Sequence, residues 1–115
     1  MNAGKIILFN FPQTNLEEGK LRPALVIAKL PRNYDDWLIC MISSKKHQYK
    51  DKYDEPILKD SVELKISGLK SESIIRSTRL AVVNEKILLG SIGNISNQLL
   101  NNIRVNLSNW IKQSE

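Results

Sequence analysis

The distribution of apolar and polar residues along the chain predicts six short strands followed by one helix. Segments rich in apolar, β-branched and aromatic residues and bounded by Gly or Pro are typical of strands. Such segments are residues 5–11, 22–30, 37–44, 61–66 and 73–83, with a short extended segment within 86–95. Those at 22–30 and 37–44 are apolar on both faces, which is typical of strands in the middle of a sheet that is covered on both sides.

The C-terminal part of the chain changes to a helical period. From Ser96 onward, apolar residues recur every three or four positions, at Leu99, Leu100, Ile103, Leu107, Trp110 and Ile111. This spacing predicts one apolar stripe on an amphipathic helix, with Ser96 as its N-cap. Leu99 stands where a capping box would have Glu or Gln, so the reciprocal half of that motif is missing. Leu107 and Trp110 are predicted to make core or dimer contacts.

Two polar segments separate the predicted elements. Residues 12–20 contain Pro and Gly and are predicted to form a loop. Residues 45–60 mix lysines, acids and one proline, and they are predicted to form a long solvated loop, a kind of segment that is usually functional or disordered. Residues 1–115 are long enough for one domain with a modest core. The predicted architecture is mainly β with a C-terminal helix: a small, strongly curved β-barrel that carries the helix.

Composition narrows the classes of function. Hydrophobic residues make up 42% of the chain and charged residues 25%, which fits a soluble globular domain, and no apolar run is long enough to cross a bilayer. The N-terminus shows no secretory signal, so the cytoplasm is the expected location. Lys and Arg number 17 against 12 Asp and Glu, a net charge of +5. This excess suits an anionic partner such as nucleic acid or an acidic peptide.

The chain has one cysteine and one histidine, which argues against a Cys/His zinc site and excludes an internal disulfide. Cys40 lies in an apolar segment and is predicted to be a buried, inert thiol. His47 lies in the charged 45–60 segment, without a second histidine for paired acid–base chemistry, and is predicted to be a surface residue. No metal or cofactor is expected.

Arg22 is the first candidate functional residue. Pro23 pushes the residue before it into an extended conformation, so the guanidinium projects from a restrained backbone at the start of the second strand. From the residues alone two interpretations remain open. Arg22 either closes a structural network with the preceding loop, for example through Glu17, or is directed at an anion such as phosphate. Further candidate phosphate contacts, each of which also fits a solvated surface charge, are Lys20, Lys45, Lys46, Arg76 and Arg79.

Four segments, taken in order, resemble the MazF/PemK family of toxins from type II toxin–antitoxin systems. They are GKIILFNFP at 4–12, TNLEEGKLRPALVIAK at 14–29, LICMISSK at 38–45 and IGNISNQLLNNI at 92–103. The most specific sequence motif in these segments is GKLRPALV, at Gly19–Val26. The resemblance covers nearly the whole chain and is weakest across residues 45–70. It implies a compact SH3-like β-barrel with a C-terminal helix, and a homodimer.

The resemblance also implies an activity, the metal-independent cleavage of single-stranded RNA at short sequence motifs. In this reaction the ribose 2′-hydroxyl attacks the adjacent phosphate and leaves 2′,3′-cyclic phosphate and 5′-hydroxyl ends. The arginine of the family's Arg-Pro motif corresponds to Arg22. The family's Thr or Ser at the end of the third strand corresponds to Ser43. A shift of one residue would select Ser44 instead. Alternation along a strand points the two serines to opposite faces, so only one can meet Arg22, and Ser43 is preferred.

The resemblance extends to binding residues and partners. Relatives often carry a polar or basic residue at the position of Arg79, which is therefore preferred to Arg76. The expected RNA-binding residues are Thr14, Glu17, Lys20, Ser44, Lys45 and Arg79. A cognate antitoxin is the expected protein partner, because in this family its flexible, often acidic tail occupies the RNA groove.

Two features leave room for other classes of function. The chain has Lys5 where many relatives carry an acid, and Gln13 where a second aromatic residue is common. One alternative is a toxin of the same fold that binds DNA gyrase and cleaves nothing, which would not need Arg22 and Ser43. The other is a catalytically silent module that binds RNA or an antitoxin.

Overall fold

A computed structural model describes residues 1–10, 21–44, 51–88 and 90–115. The strands of this part of the chain are β1 Lys5–Asn10, β2 Leu21–Lys29, β3 Asp36–Ser43, β4 Glu55–Ile57, β5 Ser73–Asn84 and β6 Ser91–Asn94. The helices are α1 Val62–Ser67 and α2 Asn97–Gln113, and a single 3₁₀ turn follows β5 at Glu85–Ile87. Neither α-helix combines the length and the apolar character that a membrane span requires.

The six strands form one antiparallel sheet in the order β4-β5-β3-β2-β1-β6. The two strands predicted to be covered on both sides, β2 and β3, lie at its centre. One face packs against α2 through Ile6, Leu25, Ile27, Cys40, Ile42, Ile75, Leu99, Leu100 and Ile103. The opposite face carries a second cluster of Ile7, Ala24, Val26, Trp37, Ile39 and Val83. The predicted architecture, mainly β with one C-terminal helix, is confirmed.

Residues 61–66 were predicted to be a strand, and that prediction is wrong because Ser61 is the N-cap of helix α1 and residues 62–66 belong to the helix. Their apolar residues alternate with polar ones in the sequence, which favoured a strand. In the structure Val62 and Ile66 are 71% and 37% exposed, and only Leu64 packs against the core. The alternation therefore does not mark a buried sheet face.

Local capping explains why this segment is helical. The hydroxyl of Ser61 accepts a hydrogen bond from the Leu64 N–H at 3.1 Å, which satisfies one free donor of the first turn. Gly68 ends the helix in the left-handed conformation, with φ at 75°, where glycine has no steric penalty. Both signals are present in the sequence, and over six residues they outweigh the alternating pattern.

The predicted loop at residues 45–60 also needs correction. Part of it is strand β4, which pairs with β5 from Glu55 opposite Ile75 to Ile57 opposite Ser73. Residues 45–50, including His47, lie outside the described residues. The predicted loop at 12–20 lies outside them as well.

Helix α2 begins after Ser96, as predicted. The Ser96 hydroxyl accepts from the Leu99 N–H at 3.1 Å. The missing half of the capping box comes from the other helix, because Glu63 accepts from the Ser96 N–H at 2.9 Å and from the Ser96 hydroxyl. A carboxylate at a helix N-terminus also interacts favourably with the helix dipole. Leu107 is buried and Trp110 packs against the same core, which confirms the predicted core contacts.

Replacing Glu63 with alanine is expected to lower the free energy of unfolding by about 2 kcal/mol, because two hydrogen bonds to a carboxylate are lost. Urea denaturation followed by tryptophan fluorescence measures this change. Lys65→Ala alters an exposed position of the same helix and is expected to change stability by less than about 0.5 kcal/mol. Equal stabilities of the two variants would contradict a capping role for Glu63.

Cys40 lies in the centre of β3 and is fully buried, as predicted. Burial raises the pKa of its thiol to about 12. Because the thiolate is the nucleophilic form, the folded protein keeps this cysteine as a neutral, unreactive core residue.

Candidate functional site

The pairing of β2 with β3 decides which residues share a face with Arg22. The paired residues run from Val26 opposite Ile39 through Ala24 opposite Met41. Two further steps of the same register set Arg22 opposite Ser43. Directly opposite residues of an antiparallel pair point to the same side of the sheet, with Cβ atoms about 5 Å apart. On the other side of Arg22, Phe9 of β1 is its partner.

Ser43 forms part of the lining of a cavity on this face. The residue itself is only 3% exposed, at the last position of β3. The cavity has a volume of about 440 Å³, and its described lining residues are Met41, Ser43, Asp51, Asp54, Arg76, Thr78 and Arg79. Arg22 is not among them, and lies one strand away on the same face. The structure thus brings Arg22 and Ser43 to neighbouring strands and opens the space beside Ser43 toward β5.

An arginine–carboxylate pair borders this cavity. Nη1 of Arg76 lies 3.0 Å from Oδ2 of Asp54, and the two side chains are 16% and 1% exposed. Sheet register explains the contact, since Glu55 pairs with Ile75 and the preceding Asp54 therefore stands opposite Arg76. Arg76 in turn pairs with Met41, two residues before Ser43. The pair is thus on the Ser43 face of the sheet.

The buried position of Asp54 changes its acidity. Burial raises the pKa of the carboxyl above its ordinary value, while the backbone N–H of Asp51 and the positive charge of Arg76 act in the opposite direction. Among the described residues, Asp54 and Asp51 are the acids that line the cavity. Among the described residues there is no group of three or more His, Cys, Asp or Glu placed to hold a metal ion.

A bulge in β5 brings Arg79 to the cavity. Met41 pairs with Arg76, but the adjacent Cys40 pairs with Leu80, so three residues of β5 have no counterpart on β3. Bulges of this kind redirect side chains and are frequent beside functional sites. Here Thr78 and Arg79 line the cavity. The structure therefore places Arg79, preferred from the sequence, and Arg76, ranked below it, at the same cavity.

Ser44 lies elsewhere. It is exposed and lines two neighbouring cavities that it shares with Lys70 and Ser71, one of them also lined by Lys59. None of these residues lines the Ser43 cavity. The prediction that the two serines point to opposite sides agrees with this placement.

Four of the sequence-predicted RNA-binding residues, Thr14, Glu17, Lys20 and Lys45, lie outside the described residues. Their roles stay predictions. Conversely, the structure adds Asp54, which sequence reasoning missed. The only sequence signal for it is its position directly before the Glu55-Pro56-Ile57 segment, and that signal is informative only once the β4–β5 pairing is known.

Residues 2–111 match the family model for the PemK-like, MazF-like toxin of type II toxin–antitoxin systems. No curated protein sequence matches the chain.

Several solved structures share the fold. An endoribonuclease in complex with its cognate antitoxin from a mycobacterial species has a TM-score of 0.70 at 9% identity, covering 100% of this chain and 98% of the other. The Mycobacterium tuberculosis toxin MazF-mt6 has a TM-score of 0.68 at 14% identity, covering 96% and 99%. MazF from Deinococcus radiodurans has a TM-score of 0.69 at 18% identity, covering 98% and 97%.

These structures confirm the predicted fold class, a curled β-sheet with a C-terminal helix of the kind found in such toxins. The family model spans almost the entire chain. The protein belongs to the PemK-like, MazF-like family of toxins of type II toxin–antitoxin systems.

Proposed function

We propose that this toxin is an endoribonuclease that cleaves single-stranded RNA by attack of the ribose 2′-hydroxyl on the adjacent phosphodiester. The observation that carries the proposal is the β2–β3 register, which pairs Ala24 with Met41. Extended by two residues along each strand, this register sets Arg22 and Ser43 on the same face of the sheet. A guanidinium and a hydroxyl on one face of a sheet can donate hydrogen bonds to the same phosphate. The similarity in fold to an endoribonuclease supports RNA as the substrate class.

The chemistry of the reaction fits these two side chains. The 2′-hydroxyl loses its proton as its oxygen forms a bond to phosphorus, and the bond from phosphorus to the 5′-oxygen breaks. The departing 5′-oxygen takes up a proton, so the products carry a 2′,3′-cyclic phosphate and a 5′-hydroxyl. Negative charge grows on the non-bridging oxygens in between. Arg22 carries a permanent positive charge at physiological pH, and Ser43 is a neutral donor. One well-placed donor of this kind lowers the barrier by about 3 to 4 kcal/mol.

Two further arginines of this face can bind a polyanionic substrate. Arg76 and Arg79 line the cavity beside Ser43, and the whole chain has a net charge of +5. Positive groups along a groove are the main source of affinity for single-stranded nucleic acid. We assign Arg79 to a phosphate that flanks the cleaved one, and Ser44, on the opposite side of β3, to a nucleotide farther along the strand.

The basic face also fits an acidic protein segment. We propose that a cognate antitoxin inhibits the toxin by covering this face with its acidic segment in place of RNA. We also propose that the toxin is a homodimer, as the family resemblance implies. Two solved structures of this fold are complexes of that type, an endoribonuclease with its cognate antitoxin and a MazE–MazF complex from Deinococcus radiodurans.

Cleavage of single-stranded RNA in excess EDTA tests the proposed reaction. The wild-type protein is expected to produce fragments with 2′,3′-cyclic phosphate ends, and Ser43→Ala is expected to slow cleavage on the order of 100-fold because one donor to the phosphate is lost. Ser108→Ala makes the same change at an exposed site of α2 and is expected to have no effect.

End-group analysis and initial rates on one defined RNA measure both results. Intact RNA after incubation with correctly folded wild-type protein would contradict the proposed activity. A large loss in Ser44→Ala, together with none in Ser43→Ala, would identify Ser44 as the participating hydroxyl.

A further inference from the structure

Asp54 is unusual among the acids of the described residues because its side chain is almost completely buried. Its Oδ2 accepts hydrogen bonds from Nη1 of Arg76 at 3.0 Å and from the Asp51 N–H at 3.2 Å. Asp51 stabilises the turn that precedes β4, because its Oδ1 accepts a hydrogen bond from the Tyr53 N–H at 2.8 Å. The carboxylate of Asp54 therefore joins the turn before β4 to the arginine on β5.

The other oxygen of the same carboxylate is not satisfied. Oδ1 of Asp54 is buried and has no hydrogen-bond partner among the described residues. Buried polar groups in native proteins nearly always have partners, and exceptions call for an explanation. A buried ion pair is also weak evidence for stability, since apolar residues of similar volume often serve as well. Stability alone therefore explains this carboxylate poorly.

The position of Arg76 gives a functional reason for the buried Asp54–Arg76 pair. It borders the Ser43 cavity and pairs with Met41, two residues before Ser43 on the same face. Arg22 stands on β2, the other neighbour of β3, two residues beyond the Ala24–Met41 pair and therefore on the Ser43 face. With the sheet order β5-β3-β2, the two arginines flank the serine from both sides. A flexible arginine gains most from a fixed partner where its orientation matters.

We propose that Asp54 is a positioning residue that orients the Arg76 guanidinium toward the phosphodiester held at Ser43, so that two guanidinium groups approach that phosphate from β2 and β5. This inference rests on the proposed function, because it takes RNA as the ligand of the cavity. Asp54 lines the same cavity, but its Oδ1 is buried and its Oδ2 is engaged by Arg76 and the Asp51 N–H, so it is assigned no direct contact with the substrate. Its effect passes through the geometry of Arg76.

Asp54→Asn tests the inference, because it keeps the shape of the side chain and removes the charge that holds Arg76. At equal folded fractions, the variant is expected to lower kcat for RNA cleavage on the order of 10- to 100-fold, with KM changed by less than about threefold. Asp60→Asn is the matched control. Asp60 is exposed and has a positive φ of 65°, a conformation that asparagine accepts readily, so this variant is expected to retain full activity.

A double-mutant cycle separates positioning from simple packing. In an Arg76→Met background, Asp54→Asn is expected to have no further effect on kcat, because there is no guanidinium left to orient. The double variant also avoids leaving an unpaired buried charge, so it keeps the inference testable if Asp54→Asn alone does not fold. Equal losses from Asp54→Asn in both backgrounds would overturn the inference, as would wild-type activity in the folded Asp54→Asn variant.

Binding of a 2′-deoxy single strand, which lacks the attacking hydroxyl, distinguishes this inference from the proposed function. Fluorescence anisotropy is expected to show that Arg76→Met weakens binding of this strand several-fold and that Asp54→Asn adds nothing in that background. If the variants show this binding pattern but the folded wild-type protein leaves RNA intact, the nuclease proposal is refuted and the positioning role is supported. RNA cleavage that depends on Arg22 and Ser43 but not on Asp54 would refute the positioning role alone.

Discussion

Arg22→Ala is expected to reduce the rate of RNA cleavage roughly 10²- to 10³-fold, the loss measured when one preorganised donor to an oxyanion is removed. The described residues offer no carboxylate within ion-pair distance of Arg22, so the substitution removes no ion pair within that part of the fold. The free energy of unfolding of the Arg22→Ala variant is therefore expected to stay within about 1 kcal/mol of the wild-type value. Initial cleavage rates and urea denaturation of the same preparations measure the two quantities.

Two further variants sharpen this test. Arg22→Lys keeps the positive charge but loses the planar fork that can bind two phosphate oxygens, so it is expected to recover only part of the activity. Arg32→Ala makes the original change in an exposed turn and is expected to cleave RNA at the wild-type rate. If Arg22→Ala were folded and fully active, the arginine would have no place in the chemistry. A destabilised variant with normal activity per folded molecule would assign Arg22 to the structural network instead.

Gly93→Ala is expected to cause the largest loss of stability. Gly93 of β6 approaches the end of α1 so closely that an added Cβ would overlap the Ser67 carbonyl and lie 2.6 Å from the oxygen of Ile66. The reciprocal contact is equally close, because a Cβ on Gly68 would overlap the carbonyl of Ile92. These neighbours are backbone atoms, which cannot rotate away. Relief requires α1 and β6 to separate, and overpacking of this kind costs about 3 kcal/mol.

Thermal unfolding followed by circular dichroism measures this effect as a decrease in Tm of roughly 10 °C. Gly90→Ala is the matched control, since a Cβ built on Gly90 meets no atom of the described residues within 4 Å, and the Tm of this variant is expected to change by no more than about 2 °C. Similar Tm values for the two variants would show that α1 and β6 move apart at little cost. RNA cleavage by the folded fraction of Gly93→Ala is expected to persist, because Arg22 and Ser43 lie on other strands.

The local patterns of the sequence predicted most elements correctly, and the reasons for the errors are physical. Continuous apolar runs in β2 and β3 identified central strands, since strands covered on both faces bury successive side chains, as Ala24, Leu25, Val26 and Ile27 are buried in β2. Helix α2 followed from its period and its Ser96 cap. The α1 segment was misassigned because alternation over six residues is too short to outweigh caps at both ends. Strand β4, only three residues long, exists through its pairing with β5 and shows no periodic pattern of its own.

Some residues of the candidate site could likewise be predicted from the sequence, and others only from the tertiary structure. Arg22 and Ser43 could be predicted as site residues because the short segments around them resemble the family's Arg-Pro motif and its hydroxyl position at the end of the third strand. Asp54 could not, because its meaning depends on the register that sets it opposite Arg76. The relative ranking of Arg76 and Arg79 was also beyond the sequence. Only the three-residue bulge of β5 shows that both reach one cavity.

Apolar periodicity, proline geometry and helix capping act over a few neighbouring residues, so the sequence by itself determined the central strands, the C-terminal helix and the extended backbone that holds Arg22. Tertiary structure alone decided which strands are neighbours, the use of Glu63 as a distant cap for α2, and the burial of Asp54 against Arg76. Those features depend on contacts between residues far apart in the chain, where pairing register and the exclusion of water, rather than local preference, set the energy.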